Sequence, residues 1–128
     1  MAPRFLSLDQ VLRLHRSLIE RYGGHEGLRD AAVLHSALAV PQASFGGQAL
    51  HGDLFEMAAA YLYHIVQNHP FIDGNKRTGA AAAIVFLAMN DVSIDADEEG
   101  LAAITISVAS GEGGKGEVAA YFRSLAGR

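Results

Sequence analysis

Residues 53–90 read DLFEMAAAYLYHIVQNHPFIDGNKRTGAAAAIVFLAMN, and they decide the fold because two almost wholly apolar segments flank one polar turn. The segment before the turn is apolar on nearly every helical face, which predicts a central helix with Asp53 as its N-cap. Pro70 cannot lie inside a helix, so this helix should end by about Asn68. The segment after the turn, residues 78–90, is apolar again and begins with small residues that allow close backbone approach. It predicts a second central helix.

The rest of the chain predicts further helices and no alternating strand pattern of useful length. Apolar residues recur every three to four positions from Leu8 to Tyr22, and Gly23 and Gly24 should end this first helix. The remaining predicted helices lie at about residues 30–40, 97–109 and 116–125. Residues 41–52 contain two adjacent glycines and no helical period, which indicates a loop or a short hairpin. The predicted fold is therefore all-α, a compact bundle of about six helices with at most one short hairpin.

Length and composition narrow the functional classes. A chain of 128 residues, half of them hydrophobic, predicts a single domain over residues 1–128. The longest apolar run is far short of the roughly 20 residues that span a bilayer, and nothing in the N-terminal sequence suggests export. We therefore expect a cytoplasmic protein with no membrane partner. The net charge of −4 argues against direct binding to nucleic acid.

The polar turn has the composition of an anion-binding site. If Asp73 or Gly74 caps the following helix and Asn75 begins it, the amides of residues 74–77 lie at a positive helix end. Lys76 and Arg77 add two cations suited to phosphate oxygens. Gly74 permits a backbone approach that a side chain would hinder. The turn therefore predicts a site for a nucleotide polyphosphate.

The same turn contains groups for catalysis. Asp73 is its one carboxylate, and beside phosphates a carboxylate commonly helps to hold Mg²⁺. The imidazole of His69 can take a proton from an attacking hydroxyl. Phe71, between them, is expected to turn into the core and anchor the loop. In isolation, each of these residues has an ordinary structural role, but their density within nine residues favours transfer from a nucleotide to an alcohol.

At these residues the chain resembles the Fic/Doc family, whose motif is His-Pro-Phe-x-Asp/Glu-Gly-Asn-Gly/Lys-Arg. The matching residues are His69, Pro70, Phe71, Asp73, Gly74, Asn75, Lys76 and Arg77. Residues 21–24, 53–56 and 110–112 are similar to the death-on-curing (Doc) toxins, so the resemblance covers nearly the whole chain. The adenylylating branch of the family usually has Gly at the position of Lys76 and a second Arg at the position of Ala80.

The resemblance to the Doc branch implies an ATP-dependent protein kinase. It implies that ATP donates its γ-phosphate to a protein hydroxyl, with a threonine of elongation factor Tu as the family's known target. It further implies that His69 is the general base, that Asp73 helps to bind Mg²⁺, and that Asn75, Lys76 and Arg77 hold phosphates. Two alternatives stay open, a nucleotidyltransferase that uses the same anchor and a catalytically silent partner in repressor assembly.

The resemblance also implies a protein partner and a substrate-aligning loop. A Doc-type toxin is neutralised in trans by a small Phd-like antitoxin whose disordered segment folds onto it. None of the three Glu-Gly pairs of the chain has Ser or Thr four residues before its Glu, so no internal inhibitory segment of the Fic type is visible. Residues 43–51 correspond to the family's flap, although their glycines equally suit an ordinary mobile connection.

Overall fold

The structure, a computed structural model, describes residues 2–126, and this part of the chain forms a helical bundle. Its helices are α1 (Leu8–Tyr22), α2 (Ala31–Ala39), α3 (Leu54–Asn68), α4 (Asn75–Met89), α5 (Glu98–Ala109) and α6 (Lys115–Ala126). A 3-10 turn (Val40–Gln42) and an antiparallel hairpin of β1 (Ser44–Phe45) and β2 (Gln48–Ala49) connect α2 to α3. The predicted all-α fold of about six helices with one short hairpin is confirmed.

The helices α3 and α4 form the centre of the bundle, as the two apolar segments predict. Helix α3 packs against α2, α4, α5 and α6, while α1 packs against α4. The α3–α4 contact is close at Gly79, where an added Cβ would lie 2.8 Å from Val66 Cγ2 and 3.1 Å from the Leu62 carbonyl oxygen. The small residues at the start of α4 therefore do allow the close backbone approach expected from the sequence.

Local signals in the sequence set the helix ends. The Asp53 side chain accepts a hydrogen bond from the Glu56 amide at 2.8 Å, so Asp53 caps α3 as predicted. Helix α3 ends at Asn68, two residues before Pro70. Helix α4 begins at Asn75, three residues before the apolar segment starts. The polar residues 75–77 consequently form the first turn of a central helix.

The hairpin between the 3-10 turn and α3 is short and exposed. Gly46 and Gly47 have φ values of +59° and +81°, so both central residues of the turn take the positive φ that a two-residue hairpin favours. Phe45 is 82% exposed on this hairpin, and Leu50 beyond it is also exposed. Across residues 2–126, the helices are too short or too polar to span a membrane.

Candidate active site

The loop between α3 and α4, residues 69–74 and hereafter the motif loop, is held by the segment that follows α1. The Arg29 amide donates a hydrogen bond to the Pro70 carbonyl oxygen at 2.8 Å, and the Ile72 amide donates to the Gly27 carbonyl oxygen at 3.1 Å. These bonds join segments that are more than 40 residues apart in sequence. They give the motif loop a fixed backbone although it has no regular secondary structure.

Side chains fix the motif loop from the core side. Phe71 is 1% exposed and stacks on the buried His15 ring, with centroids 3.8 Å apart and an interplanar angle of 7°. His15 Nε2 donates to the Asp73 carbonyl oxygen at 2.8 Å. The Asn75 side chain accepts from the Phe71 amide at 3.0 Å and donates to the Phe71 carbonyl oxygen at 2.9 Å. Because both polar atoms of the Asn75 side chain bond Phe71, Asn75 would contact a phosphate through its backbone amide.

His69 lies at the point where α3 ends and faces solvent. Its backbone is left-handed, with φ 48° and ψ 58°, a conformation that costs a non-glycine residue roughly 1–2 kcal/mol. Arg29 stabilises this end of α3, since its guanidinium donates to the carbonyl oxygens of Asn68 and His69. The exposed imidazole makes no hydrogen bond or ion pair with residues 2–126. The strained backbone thus presents an imidazole whose nitrogens are open to a substrate.

The Asp73 carboxylate is oriented by backbone amides. Its Oδ2 accepts from the His25 amide at 3.2 Å, and its Oδ1 accepts from the Gly74 amide at 2.9 Å. These two hydrogen bonds, the one from His25 first, lower the pKa of Asp73 below its ordinary value, so the carboxylate is ionised at neutral pH. A Cβ at Gly24 would lie 2.7 Å from Asp73 Oδ2, so a larger residue at position 24 would displace the carboxylate.

Asp73 fits a magnesium ion that is shared with a nucleotide. Within the described chain, no group of three or more His, Asp or Glu side chains could hold a metal ion by itself. Mg²⁺ keeps several waters and is commonly held by one or two carboxylates together with substrate phosphates. One exposed, ionised carboxylate beside a phosphate site matches that donor set.

The sequence predicts an anion site at the N-terminus of α4. Gly74 is the N-cap in the left-handed conformation, φ 78° and ψ 19°, and it offers no capping side chain. The amide of Thr78 bonds the Gly74 carbonyl oxygen at 2.9 Å, whereas the amides of the first turn have no intrahelical acceptor. Lys76 and Arg77 are both exposed on this turn. The Arg77 guanidinium lies over the Tyr22 ring, 4.2 Å from its centroid.

The sequence predicts the residues of the motif loop but not the residues that contact the loop and fix its position. The structure brings the predicted residues of positions 69–77 onto one loop and one helical turn. The supporting residues come from the end of α1 and the segment after it: Tyr22, Gly24, His25 and Arg29. Tyr22 and Gly24 belong to the Arg-Tyr-Gly-Gly sequence at 21–24, which had no assigned role without the tertiary contacts, whereas His25 and Arg29 lie outside it. Ala80, at 8% exposed, packs in the core and presents no cation.

Comparison with known proteins agrees with this arrangement. Residues 5–87 match the Fic/DOC family. The chain belongs to the Fic/DOC family. It is 36% identical over 124 residues to the Protein kinase doc of Escherichia phage P1, a match that covers 97% of each chain. It is 43% identical over 76 residues to the Toxin Doc of Mycolicibacterium smegmatis, a match that covers 59% of this chain and 58% of that protein.

The resemblance seen in the motif is thereby confirmed. The Fic/DOC match runs from before α1 into the last turn of α4. It therefore includes the motif loop, the first turn of α4 and the segment after α1 that supports both. The whole candidate site lies within the part of the chain that matches the Fic/DOC family.

Proposed function

We propose that this Fic/DOC protein is a Doc-like toxin with protein kinase activity, which transfers the γ-phosphate of ATP to a Thr or Ser hydroxyl of a translation factor. One observation carries the proposal. An open His69 imidazole, an ionised Asp73 carboxylate and a free helix N-terminus with two cations lie on nine consecutive residues. The relative from phage P1, similar over nearly its whole length, bears the name Protein kinase doc.

The chemistry requires one proton acceptor and one anion site. His69 takes the proton of the target hydroxyl while the hydroxyl oxygen attacks the γ-phosphorus. The bond between the γ-phosphorus and the bridging oxygen of ADP breaks. ADP leaves with the electron pair of that bond. Lys76, Arg77 and the first-turn amides of α4 stabilise the charge on the phosphate oxygens. A positioned base contributes on the order of 10²–10⁴-fold to such a reaction.

In this proposal Asp73 helps to bind Mg²⁺. Mg²⁺ bound with ATP would neutralise part of the phosphate charge. Asp73 would hold it with one carboxylate oxygen, and the His25 and Gly74 amides keep that carboxylate ionised and oriented. The binding chemistry therefore needs no other acidic residue of this chain.

The choice of the γ-phosphate over the α-phosphate rests on two positions. Lys76 adds a cation in the first turn of α4, and the buried Ala80 contributes none one turn later. In the adenylylating branch a second Arg at the position of Ala80 helps to hold the phosphates for attack at the α-phosphate. Its absence here favours phosphoryl transfer, and nucleotidyl transfer to a protein hydroxyl is the second candidate function.

The proposal includes two protein partners in the cytoplasm. Elongation factor Tu is the proposed target, with the hairpin at residues 43–51 as the flap that aligns it; Phe45 and Leu50 give this hairpin exposed apolar side chains. A small Phd-like antitoxin is the proposed inhibitor in trans. A neighbouring gene for such an antitoxin would support either the toxin function or the alternative in which the chain is only a catalytically silent co-repressor partner.

One assay separates the candidate functions. The purified protein is incubated with elongation factor Tu and Mg²⁺, and with ATP labelled at either the α- or the γ-phosphate. The proposal predicts label on the target from the γ-phosphate alone. Label from the α-phosphate would replace the kinase by a nucleotidyltransferase. No label from either position, with folded protein and a target active in translation, would contradict catalysis on this target and favour the binding role.

A further inference from the structure

We infer that Tyr22 is a positioning residue that holds the Arg77 guanidinium in the orientation needed to bind phosphate. This inference deepens the proposed function and rests on it. Tyr22 is the last residue of α1, and the residue is 52% exposed. The Arg77 Cζ atom lies 4.2 Å from the centroid of that ring. The pair is therefore within the distance of a cation–π contact.

The contact with the Tyr22 ring uses none of the hydrogen-bond donors of Arg77. A guanidinium is planar, so a ring against its face leaves the N–H groups along its edges free for a phosphate. Arg77 is exposed and forms no ion pair with any other residue of the described range. Without the ring, its long stem would sample many rotamers and would lose that freedom on binding. The contact with Tyr22 restricts the Arg77 side chain in the free protein, so less conformational entropy is lost when the nucleotide binds.

The end of α1 also fixes the second charged group of the site. Directly after Tyr22 the chain turns through Gly23, whose amide bonds the Ile19 carbonyl oxygen at 2.8 Å. Two residues further, the His25 amide donates to Asp73 Oδ2. One short segment thus contacts both the carboxylate and the arginine.

This arrangement gives Tyr22 and the two glycines of the Arg-Tyr-Gly-Gly sequence a role in positioning Arg77 and Asp73. The catalytic chemistry itself uses none of these residues. An exposed aromatic ring at a helix end is not required for packing, since Tyr22 lies outside the buried core. The glycines let the chain turn sharply after the ring and approach Asp73 closely. A leucine at position 22 would keep the apolar bulk but lose the π face, whereas a phenylalanine would keep both.

The test compares Tyr22→Phe with Tyr22→Leu in the full chain, so that both variants lack the hydroxyl group and only Tyr22→Leu lacks the aromatic ring. The NMR resonance of the Arg77 Nε–H group reports the stacking through the ring current, and titration with Mg-ATP gives Kd without any need for transfer. We expect the ring-current shift to persist in Tyr22→Phe and to vanish in Tyr22→Leu. The Kd for ATP should rise about 2- to 5-fold in Tyr22→Leu only.

A double-mutant cycle with Arg77→Ala completes the test. If Tyr22 acts through Arg77, Tyr22→Leu adds no further loss of ATP affinity once Arg77 is alanine. A full additional loss in the double variant, or an unchanged Arg77 resonance and Kd in Tyr22→Leu, would overturn the inference. Because these readouts measure binding, they remain decisive even if the wild-type protein transfers no γ-phosphate. Failure of the proposed kinase activity would be seen separately, in the labelling assay.

Discussion

Replacement of Gly24 by alanine tests how strictly the site depends on the position of Asp73. Gly24 has φ +117°, and an added Cβ would lie 2.7 Å from Asp73 Oδ2 and 3.1 Å from Ile19 Cδ1. Gly23, its neighbour, also has a positive φ, +87°, but a Cβ there meets no atom within 4 Å. The two glycines therefore form a matched pair. Both substitutions strain the backbone, and only one of them obstructs the carboxylate.

The geometry gives the size of the effect. To reach an ordinary contact of 3.4 Å, Asp73 Oδ2 must move by about 0.7 Å, and this is the oxygen that accepts from the His25 amide. A misplacement of about 1 Å at a reacting centre can cost roughly 10²-fold in rate, so Gly24→Ala should slow transfer by about 10- to 10²-fold. The positive φ should cost each variant at least about 1–2 kcal/mol of unfolding free energy. Gly23→Ala should lose that stability and keep its rate.

The assay measures transfer of labelled γ-phosphate to the target at saturating ATP and at several Mg²⁺ concentrations. Urea unfolding of the same preparations supplies the stability comparison. We expect Gly24→Ala to require more Mg²⁺ for half-maximal rate than Gly23→Ala or the wild type. Equal rates for the two variants would refute the reasoning that Gly24 exists to accommodate Asp73.

Two further predictions concern the stability of the bundle. The pKa of His64 is lowered to about 4 by burial first and by Lys115 second, whose Nζ lies 3.1 Å from Nε2. The unfolded chain then binds a proton near pH 6.5 and the folded chain does not. The contribution of His64 to stability should therefore be constant above that pH and fall by roughly 1–2 kcal/mol towards pH 4, after allowance for the partly exposed ring. His64→Gln should flatten this dependence in urea titrations at pH 7 and pH 5, and an unaltered slope would remove His64 as its cause. Gly79→Ala should cost about 1–3 kcal/mol by overpacking α3 against α4, whereas Gly116→Ala in α6, where a Cβ meets no atom within 4 Å, should cost nothing. Equal unfolding free energies for these two variants would argue against the close contact at Gly79.

The helical part of the fold was predictable because its signals are local. Pro70 ends α3, Asp53 caps it, and adjacent glycines mark the hairpin turn, so each boundary is encoded within a few residues. Those signals do not depend on how the helices pack. The start of α4 was less evident, since its first turn is polar and Gly74 provides no capping side chain. The prediction of one domain over the whole chain stays a prediction.

The motif residues of the candidate site could be predicted from the sequence, but the residues that contact and position them could not. The motif residues are contiguous, so their chemistry can be read from the sequence directly. The contacts of Tyr22 with Arg77 and of Gly24 with Asp73 join positions about 50 residues apart. They depend on the packing of α1 against α4, which no local pattern specifies. For the same reason the sequence could not show that the Asn75 side chain turns inward to Phe71. The catalytic and binding roles of the motif residues remain predictions.

The rate of γ-phosphate transfer by the His69→Ala variant would decide whether His69 is the general base. The matched control is His35→Ala, which removes an exposed histidine of α2 that is not part of the site. Single-turnover transfer to elongation factor Tu is measured for both variants, together with their thermal unfolding. If His69 is the general base, the transfer rate should fall about 10²–10⁴-fold in His69→Ala, with thermal unfolding close to that of the wild type, and should be unchanged in His35→Ala. An undiminished rate in folded His69→Ala would contradict a catalytic role for His69.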